Sequence, residues 1–283
     1  MQQKNVHWFP GHMVKAMREI EARLNVIDII IEIVDARCPL SSKNPFLEKL
    51  TANKKRLIVF SKKDLADLSK LSSFEKYYQD LSYASIVADL NNKKDIQNII
   101  ATSLELGKER QAKYLRRGMK PQPLRVMIIG IPNVGKSTLI NRLARRNAAS
   151  TENKPGHTKA QQWIRINENF ELLDTPGILP PHYEDKVVSL NLALIGSLKE
   201  NILPLDELYS HLVDFLKNNY PENFKKRYGV ENLDQEHQIT EDIALKRGLL
   251  QKSGQIDEEA TKKLVLREFK DGIIAQVVVD KLC

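Results

Sequence analysis

The first half of the chain alternates short apolar runs with longer segments of mixed polarity. Four runs are each long enough for one buried strand: IDIIIEIVDA (27–36), RLIVF (56–60), YASIVA (83–88) and LRVMIIG (124–130). Most of the segments between them are long enough to hold a crossover helix. We expect the basic stretch 107–123, which contains Pro and Gly, to be a connection instead. The pattern predicts an α/β fold with a mainly parallel sheet.

Helical spacing marks the two ends of the chain. Near the start, apolar residues recur at Val14, Met17, Ile20, Leu24 and Ile27. After a hairpin predicted over 162–173, residues 185–283 show helical periods, and 260–280 are expected to be helical like the rest. We therefore predict an α/β domain over residues 1–179 and a smaller, all-helical domain over residues 180–283.

Positive charge is concentrated in one part of the chain. The net charge is +8, but residues 1–180 hold 30 Lys and Arg against 18 Asp and Glu, whereas residues 181–283 hold 14 against 18. Residues 108–146 contain 11 basic residues and one acidic residue. Such a concentration favours a polyanionic partner, and nucleic acid is the partner that we expect.

Several classes of protein are disfavoured by composition. The chain has no run of about 18 apolar residues, so we expect no membrane span. The first residues lack the basic and apolar regions of a secretory signal. The two cysteines, Cys38 and Cys283, lie far apart without metal-ligand spacing or a disulfide framework. We predict a reduced, cytoplasmic protein.

GIPNVGKST at 130–138 has the spacing of a phosphate-binding loop directly after an apolar strand and before a predicted helix. Gly130 and Gly135 permit the backbone to turn successive N–H groups towards phosphate. Lys136 is a candidate catalytic cation that reaches the β and γ oxygens, and Ser137 offers its hydroxyl to Mg²⁺. The predicted nucleotide contacts in this loop are Asn133, Val134, Gly135, Lys136, Ser137 and Thr138.

DTPG at 174–177 ends the apolar run FELLD, downstream of the phosphate loop. Asp174, at the tip of a strand parallel to the phosphate-loop strand, is placed to support Mg²⁺, and Gly177 can present its N–H to a γ-phosphate. Between the two motifs, KPGHTKA (154–160) offers Thr158 as a Mg²⁺ ligand that orders only when the γ-phosphate is present.

A base-recognition motif precedes the phosphate loop. Guanine selection usually uses Asn-Lys-x-Asp after an apolar strand, and SKKD follows RLIVF with Ser61, Lys62, Lys63 and Asp64. Asp64 would accept hydrogen bonds from guanine, and the Ser61 hydroxyl would replace the usual asparagine amide with a shorter reach. The loop expected to contact the base from its other side carries Asp89 and Leu90 instead of serine, which predicts weak guanine affinity.

The motif order is base recognition, phosphate loop, threonine loop and DTPG, which is a circular permutation of a G domain. With WFPGHM (8–13), VDARCPLSSKNP (34–45), QQW (161–163) and KRYG (226–229) added, nearly the whole chain resembles the circularly permuted ribosome-assembly GTPases, which include the bacterial ribosome biogenesis GTPase A family. The resemblance implies a GTPase that binds the late large (50S) ribosomal subunit precursor, contacts rRNA and ribosomal proteins, is stimulated by the subunit and leaves after GTP hydrolysis. We expect the protein to be a monomer.

The resemblance also implies roles for single residues. Asn133 would help to hold K⁺ beside the phosphates, and Ile178 stands where other GTPases place a glutamine that orients the attacking water. His12 of the N-terminal motif would supply that catalytic function, since imidazole can orient or deprotonate water near neutral pH. His157 is a second candidate, and a purely structural role for the motif, with Trp8 anchoring the terminus, remains open.

RNA contacts are predicted from charge. The predicted set is Lys113, Arg116, Arg117 and Lys120 in the basic stretch, with Lys225, Lys226 and Arg227 near the YPE…KRYG region that the resemblance covers. Two other functions remain open: an RNA-binding scaffold that holds nucleotide without turning it over, and a P-loop ATPase or kinase, against which Asp64 argues. A mitochondrial relative is disfavoured because Met1 leads into WFPGHM without a presequence.

Overall fold

The computed structural model describes residues 11–148, 163–173, 179, 183, 185–198 and 202–282, with the backbone alone at 11–16 and 145–148. The described strands are β1 (Ile29–Asp35), β2 (Lys55–Ser61), β3 (Ala84–Val87), β4 (Leu124–Ile129), β5 (Trp163–Asn167) and β6 (Phe170–Leu173). The described α-helices are α1 (Gly11–Arg23), α2 (Pro45–Leu50), α3 (Leu68–Asp80), α4 (Lys93–Arg116), α5 (Lys136–Ala148), α6 (Lys186–Leu194), α7 (Leu205–Asn219), α8 (Pro221–Tyr228), α9 (Glu236–Arg247) and α10 (Glu258–Lys270).

The six strands form one sheet in the order β3-β2-β1-β4-β6-β5. All neighbouring pairs are parallel except β5 and β6, which form the hairpin predicted from the sequence. In the β1–β2 ladder, Asp35 lies opposite Ser61. Because the carboxyl ends of parallel strands meet at one edge, the loops after β1, β2, β3 and β4 are gathered there, beside the carboxyl end of β6. The prediction of a mainly parallel α/β sheet is confirmed.

Both faces of β1 are buried, which explains its uninterrupted apolar sequence. Ile29, Ile31 and Ile33 join the large core cluster that extends to α4, α5 and the C-terminal helices. Ile30 belongs to a second cluster, with Ile20 of α1. Side chains therefore alternate between two packed faces, as the twofold period of a strand requires.

The prediction that 107–123 is a connection was wrong for its first part, because α4 continues without a break to Arg116. Gly107 is buried inside this helix, and a Cβ there would lie 2.5 Å from Leu124 Cδ1. Glycine thus permits a close approach between α4 and β4, which compensates for its low helix propensity. Arg117 is the C-cap of the helix, and it is followed by Gly118 with φ +68°.

The prediction that 260–280 is helical throughout was also wrong, because α10 ends at Lys270. The following segment returns to the loops at the edge of the sheet. Val277 N–H donates to the Leu65 carbonyl at 3.1 Å and Val279 N–H to the Arg37 carbonyl at 2.7 Å. The Asp280 carboxylate accepts the N–H groups of Leu40 at 2.6 Å and Ser41 at 2.8 Å. Val277 and Val279 thus find partners in the sheet-bearing part of the chain, while the Val278 N–H donates to the Tyr220 hydroxyl at 3.2 Å.

A domain boundary near residue 180 remains a prediction. It would separate the sheet from α6–α10, and the tail after α10 would cross back over it. Among the residues described, no helix is long and apolar enough to span a lipid bilayer.

Candidate functional site

The GIPNVGKST loop joins β4 to α5 at the carboxyl edge of the sheet. A Cβ at Gly130 would lie 2.6 Å from the backbone oxygen of Ile33, so the loop leaves β4 in close contact with β1. At Gly135 φ is +102°, and a Cβ would lie 2.8 Å from Leu90 Cδ1. Both glycines are therefore required by the local geometry, and the loop leads straight into the first turn of α5.

The first turn of α5 carries the residues predicted to bind phosphate and Mg²⁺. Lys136 is 7% exposed, and its ammonium donates to the Ile131 carbonyl within the loop at 2.6 Å. Ser137 and Thr138 are exposed. Hydroxyl oxygens are suitable ligands for a hard cation such as Mg²⁺, so Ser137 fits the proposed ion. The N-terminal end of the helix adds partial positive charge for phosphate.

Asn133 adopts a left-handed backbone conformation with φ +63° and is exposed. Its Nδ2 donates to the Gly196 carbonyl, in the turn after α6, at 2.8 Å. This contact was not predicted, because nothing in the sequence links residues so far apart. It fixes the amide so that Oδ1 remains as the acceptor, which is the atom that a K⁺ ion would need.

Ser61, the first residue of SKKD, is the last residue of β2 and is fully buried. Its hydroxyl lies 2.6 Å from the Val134 carbonyl oxygen and 3.0 Å from that of Val34. A hydroxyl has one proton, so the shorter contact to the phosphate loop is the stronger candidate bond. The base-recognition strand is thereby joined directly to the phosphate loop.

The next three residues of SKKD form a tight turn. Lys62 has φ +56°, and its ammonium lies 2.8 Å from Asp35 Oδ2. Lys63 lies 3.9 Å from Asp95. Asp64 is exposed, and within the described residues its carboxylate has no hydrogen-bond partner. An exposed carboxylate at the edge of the sheet is what a guanine base requires, since it must accept two N–H groups.

Asp35 and Arg37, within VDAR, are charged residues that the sequence did not single out as functional. Both are buried, and Arg37 holds Asp35 through Nε at 3.0 Å and Nη2 at 2.9 Å. Although burial favours the neutral acid, Arg37 and Lys62 hold the pKa of Asp35 below its ordinary value. The carboxylate therefore stays charged beside the base-recognition loop.

The loop after β3 holds Asp89 and Leu90. Asp89 is partly exposed, and its carboxylate accepts the Asn91 N–H at 2.8 Å, which shapes the turn before α4. Leu90 is buried against the phosphate loop at Gly135. The loop therefore lies next to the phosphate loop, as expected for the segment on the other side of the base.

The remaining predicted site residues belong to the N-terminal motif, the threonine loop and DTPG. Thr158, Asp174 and Gly177 lie outside the described residues, and for His12 only the backbone is described, in the first turn of α1. β6 ends at Leu173, directly before Asp174, and runs parallel to β4 as predicted.

The predicted RNA-binding residues fall into two groups. Lys113, Arg116, Arg117 and Lys120 are all exposed, at or just beyond the end of α4. In α8, Lys226 is exposed and Lys225 is partly exposed, but Arg227 donates through Nε to Glu268 at 2.8 Å and thus holds α8 to α10. Of the three residues in α8, Arg227 is the least free to bind RNA.

Residues 125–246 match a protein family described as 50S ribosome-binding GTPase. Over 266 residues the chain is 42% identical to the ribosome biogenesis GTPase A of Bacillus licheniformis, and the match covers 94% of both chains. The chain belongs to the ribosome biogenesis GTPase A family. The corresponding GTPase of Bacillus cereus, another member of the ribosome biogenesis GTPase A family, is 40% identical over 276 residues, covering 97% of this chain and 93% of the relative.

Solved structures agree with this assignment to the ribosome biogenesis GTPase A family. The crystal structure of YlqF from T. maritima, bound to GNP, aligns with a TM-score of 0.64 at 25% identity, over 94% of this chain and 98% of that chain. YlqF is a circularly permuted GTPase. The predicted permutation and GTPase activity are therefore confirmed, and the alternative of an ATPase or kinase was wrong.

Proposed function

We propose that the protein hydrolyses GTP while bound to a late precursor of the large (50S) ribosomal subunit, promotes the maturation of that particle and leaves it after hydrolysis. The nucleotide part is supported by the contact of Ser61 with Val134, which joins SKKD, the proposed base-recognition motif, to the proposed phosphate loop. The ribosomal part rests on membership of the family, whose relatives are named for ribosome biogenesis.

Within this proposal, Asp64 reads guanine, and the residues of SKKD with Asp89 and Leu90 surround the base. The phosphates lie on the backbone from Asn133 to Thr138, with Lys136 as the cation that stabilises charge on the β and γ oxygens. Ser137, Thr158 and Asp174 would hold Mg²⁺, and Gly177 would donate to the γ-phosphate. Mg²⁺ in such a site neutralises negative charge that develops on the phosphates.

K⁺ is a second proposed ion. Its protein ligand would be Asn133 Oδ1, which is left free as an acceptor when Nδ2 donates to Gly196. A monovalent cation beside the phosphates supplies positive charge where other GTPases insert an arginine.

His12 is the proposed catalytic residue that orients the attacking water. The support is chemical: Ile178 has no donor, and imidazole titrates near neutral pH. α1, which begins at Gly11, packs on the face of the sheet that carries Ile30 and Met127, so the backbone before Met17 belongs to an anchored helix.

Binding to the subunit would use the exposed basic end of α4. Lys113, Arg116, Arg117 and Lys120 attract RNA phosphate, and Leu115, 60% exposed, and Met119, 47% exposed, lie among them. Lys225 and Lys226 of α8 would add a smaller contact. The proposal places the protein in the cytoplasm as a monomer that meets rRNA and ribosomal proteins on the particle.

Release would follow from loss of the γ-phosphate. Gly177 is separated by few residues from α6, which begins at Lys186, so a change at DTPG would pass directly to the C-terminal helices. Their altered position would weaken the hold on RNA.

The deciding experiment is GTP turnover in K⁺ buffer by wild type and His12→Ala, with and without large subunits. We expect turnover that rises with subunits in wild type and collapses in the variant, while nucleotide binding stays intact. Equal stimulated turnover would remove His12 from the catalytic machinery and direct attention to His157. No turnover by wild type with subunits present would favour an RNA-binding scaffold instead.

A further inference from the structure

Asp35 ends β1 at the level where Ser61 ends β2. Its carboxylate is fully buried and accepts from two cations at once: Arg37 through Nε and Nη2, and Lys62 at 2.8 Å. The Arg37 backbone N–H also donates to Oδ1 at 3.0 Å. A buried carboxylate with this many donors is held in one orientation.

Lys62 is the less expected partner. It is a non-glycine residue in the left-handed region, with φ +56° and ψ +40°, a backbone conformation that is unfavourable for an L-residue with a side chain. Its side chain is 26% exposed, yet the ammonium points to Asp35 and not to solvent. Holding a partly exposed loop lysine in one position costs side-chain entropy, so we expect its methylene stem or its charge to contact a ligand there.

Arg37 reaches in the other direction. Its Nη1 donates to the Lys270 carbonyl at 2.9 Å and its Nη2 to the Ile195 carbonyl at 3.2 Å. Lys270 is the last residue of α10 and Ile195 caps α6, so the guanidinium lies at two helix C-termini, where partial negative charge accumulates. The same turn after α6 receives Asn133 from the phosphate loop at Gly196.

We propose that Asp35 and Arg37 are a positioning pair: Asp35 fixes Lys62 against the guanine base, and Arg37 connects that carboxylate to the ends of α6 and α10. The inference rests on the proposed role of SKKD in base binding. Nucleotide binding and the arrangement of the two helices are then coupled, and each stabilises the other by the same free energy. Neither Asp35 nor Arg37 touches the nucleotide.

The first test is a double-mutant cycle on GDP affinity, measured by titration with a fluorescent GDP derivative. Asp35→Asn and Lys62→Met should each weaken binding by about tenfold, and the double variant should be no weaker than the weaker single variant, because Asp35 acts through Lys62. Lys76→Met, an exposed lysine on α3, should bind as wild type. Unchanged affinity in Lys62→Met, or additive losses in the double variant, would overturn the inference.

The second test measures the link to the helices. In wild type, GDP should slow amide hydrogen exchange in α6 and α10. Arg37→Lys keeps a cation beside Asp35 but loses the forked reach to both carbonyls, so saturating GDP should no longer slow exchange in α6 and α10, and GDP affinity should fall by the factor that this coupling contributes. This variant also keeps the proposal testable if Asp35→Asn fails to fold.

The outcomes distinguish failure of the proposed function from failure of the proposed coupling. If the wild-type protein bound no GDP, the proposed function would be contradicted. The coupling would be contradicted if wild type bound GDP without slowed exchange in α6 and α10. It would also be contradicted if Arg37→Lys still showed slowed exchange. In both cases the proposed function would stand.

Discussion

The Ser61 hydroxyl lies 2.6 Å from the Val134 carbonyl oxygen, across 73 positions of sequence. One residue ends the strand before the base-recognition turn, and the other belongs to the phosphate loop. Circular permutation reverses the order in which the chain meets these two elements. In this chain the two elements meet at the carboxyl edge of the sheet because their strands, β2 and β4, both flank β1.

Removing this hydroxyl should weaken nucleotide binding. Ser61→Ala leaves the buried Val134 carbonyl without its donor, at a cost of about 1 kcal/mol, and we expect GDP affinity to fall several-fold by titration. Ser73→Ala is the matched control, since Ser73 donates to the Lys70 carbonyl at 2.8 Å on the exposed side of α3. An equal effect of both substitutions on GDP binding would show that the Ser61 contact has no special role.

The central strands β1, β2 and β4 were predictable because they are buried on both faces. A parallel strand in the middle of a sheet has no solvent side, so it reads as a continuous apolar run, and the runs ending at Asp35, Ser61 and Ile129 were located to within two residues. The phosphate loop was also predictable, because its glycines are required by the local backbone conformation.

The errors share one physical cause, which is contact between distant parts of the chain. Gly107 suggested a break, but its missing side chain makes room for Leu124. The apolar residues after Lys270 suggested a helix, but Val277 and Val279 donate to Leu65 and Arg37 instead. The local sequence does not indicate these contact partners, and such tertiary contacts override the intrinsic helix propensity of a segment.

Gly130 should tolerate no side chain. Gly130→Ala would bring a Cβ within 2.6 Å of the Ile33 backbone oxygen, which belongs to a central strand and has no room to move. We expect a loss of unfolding free energy of about 2–3 kcal/mol and loss of nucleotide binding. The measurement is urea denaturation with and without GDP.

The control for that substitution is Gly118→Ala. Gly118 also has positive φ, at +68°, but a Cβ there meets nothing within 4 Å. It should cost only the backbone strain, about 1 kcal/mol, and leave GDP binding unchanged. Equal destabilisation by the two variants would mean that backbone conformation alone explains Gly130.

Glu268 should give stability that depends on pH. It accepts Arg227 Nε at 2.8 Å and the Tyr228 hydroxyl at 2.8 Å, and the Arg227 hydrogen bond holds its pKa below the ordinary value. A lowered carboxyl pKa adds stability above the unfolded pKa of about 4.3, and that stability is lost as pH falls through the folded pKa. Glu268→Gln should cost about 1–3 kcal/mol at pH 7 and nothing well below pH 4.

The check is urea unfolding of wild type and Glu268→Gln across this pH range. Glu222→Gln serves as control, because Glu222 is 87% exposed and only 4.0 Å from Lys225. It should differ little from wild type at any pH. A Glu268→Gln deficit that persists unchanged below pH 4 would assign the effect to packing and not to charge.

The exposed end of α4 should control how subunit binding depends on salt. Replacing Lys113, Arg116, Arg117 and Lys120 with serine should lower affinity at low salt and flatten the plot of log affinity against log salt, because fewer counterions are released. The control replaces four basic residues that are exposed elsewhere: Lys76, Lys252, Lys263 and Arg267. If the two quadruple variants have the same salt slope, net charge and not this surface accounts for the attraction.

The two polar atoms of the Asn133 side chain have different proposed roles, which substitutions can distinguish. Its Nδ2 donates to Gly196, and its Oδ1 is the proposed K⁺ ligand. Asn133→Asp keeps an acceptor oxygen but loses the donor, whereas Asn133→Gly loses both and suits φ +63°. We therefore expect Asn133→Asp to keep K⁺ stimulation of GTP turnover and Asn133→Gly to lose it, measured as the rate ratio between K⁺ and Na⁺ buffers. Equal stimulation in both variants would place the K⁺ ligand elsewhere, and equal loss in both would show that the bond to Gly196 is what K⁺ stimulation requires.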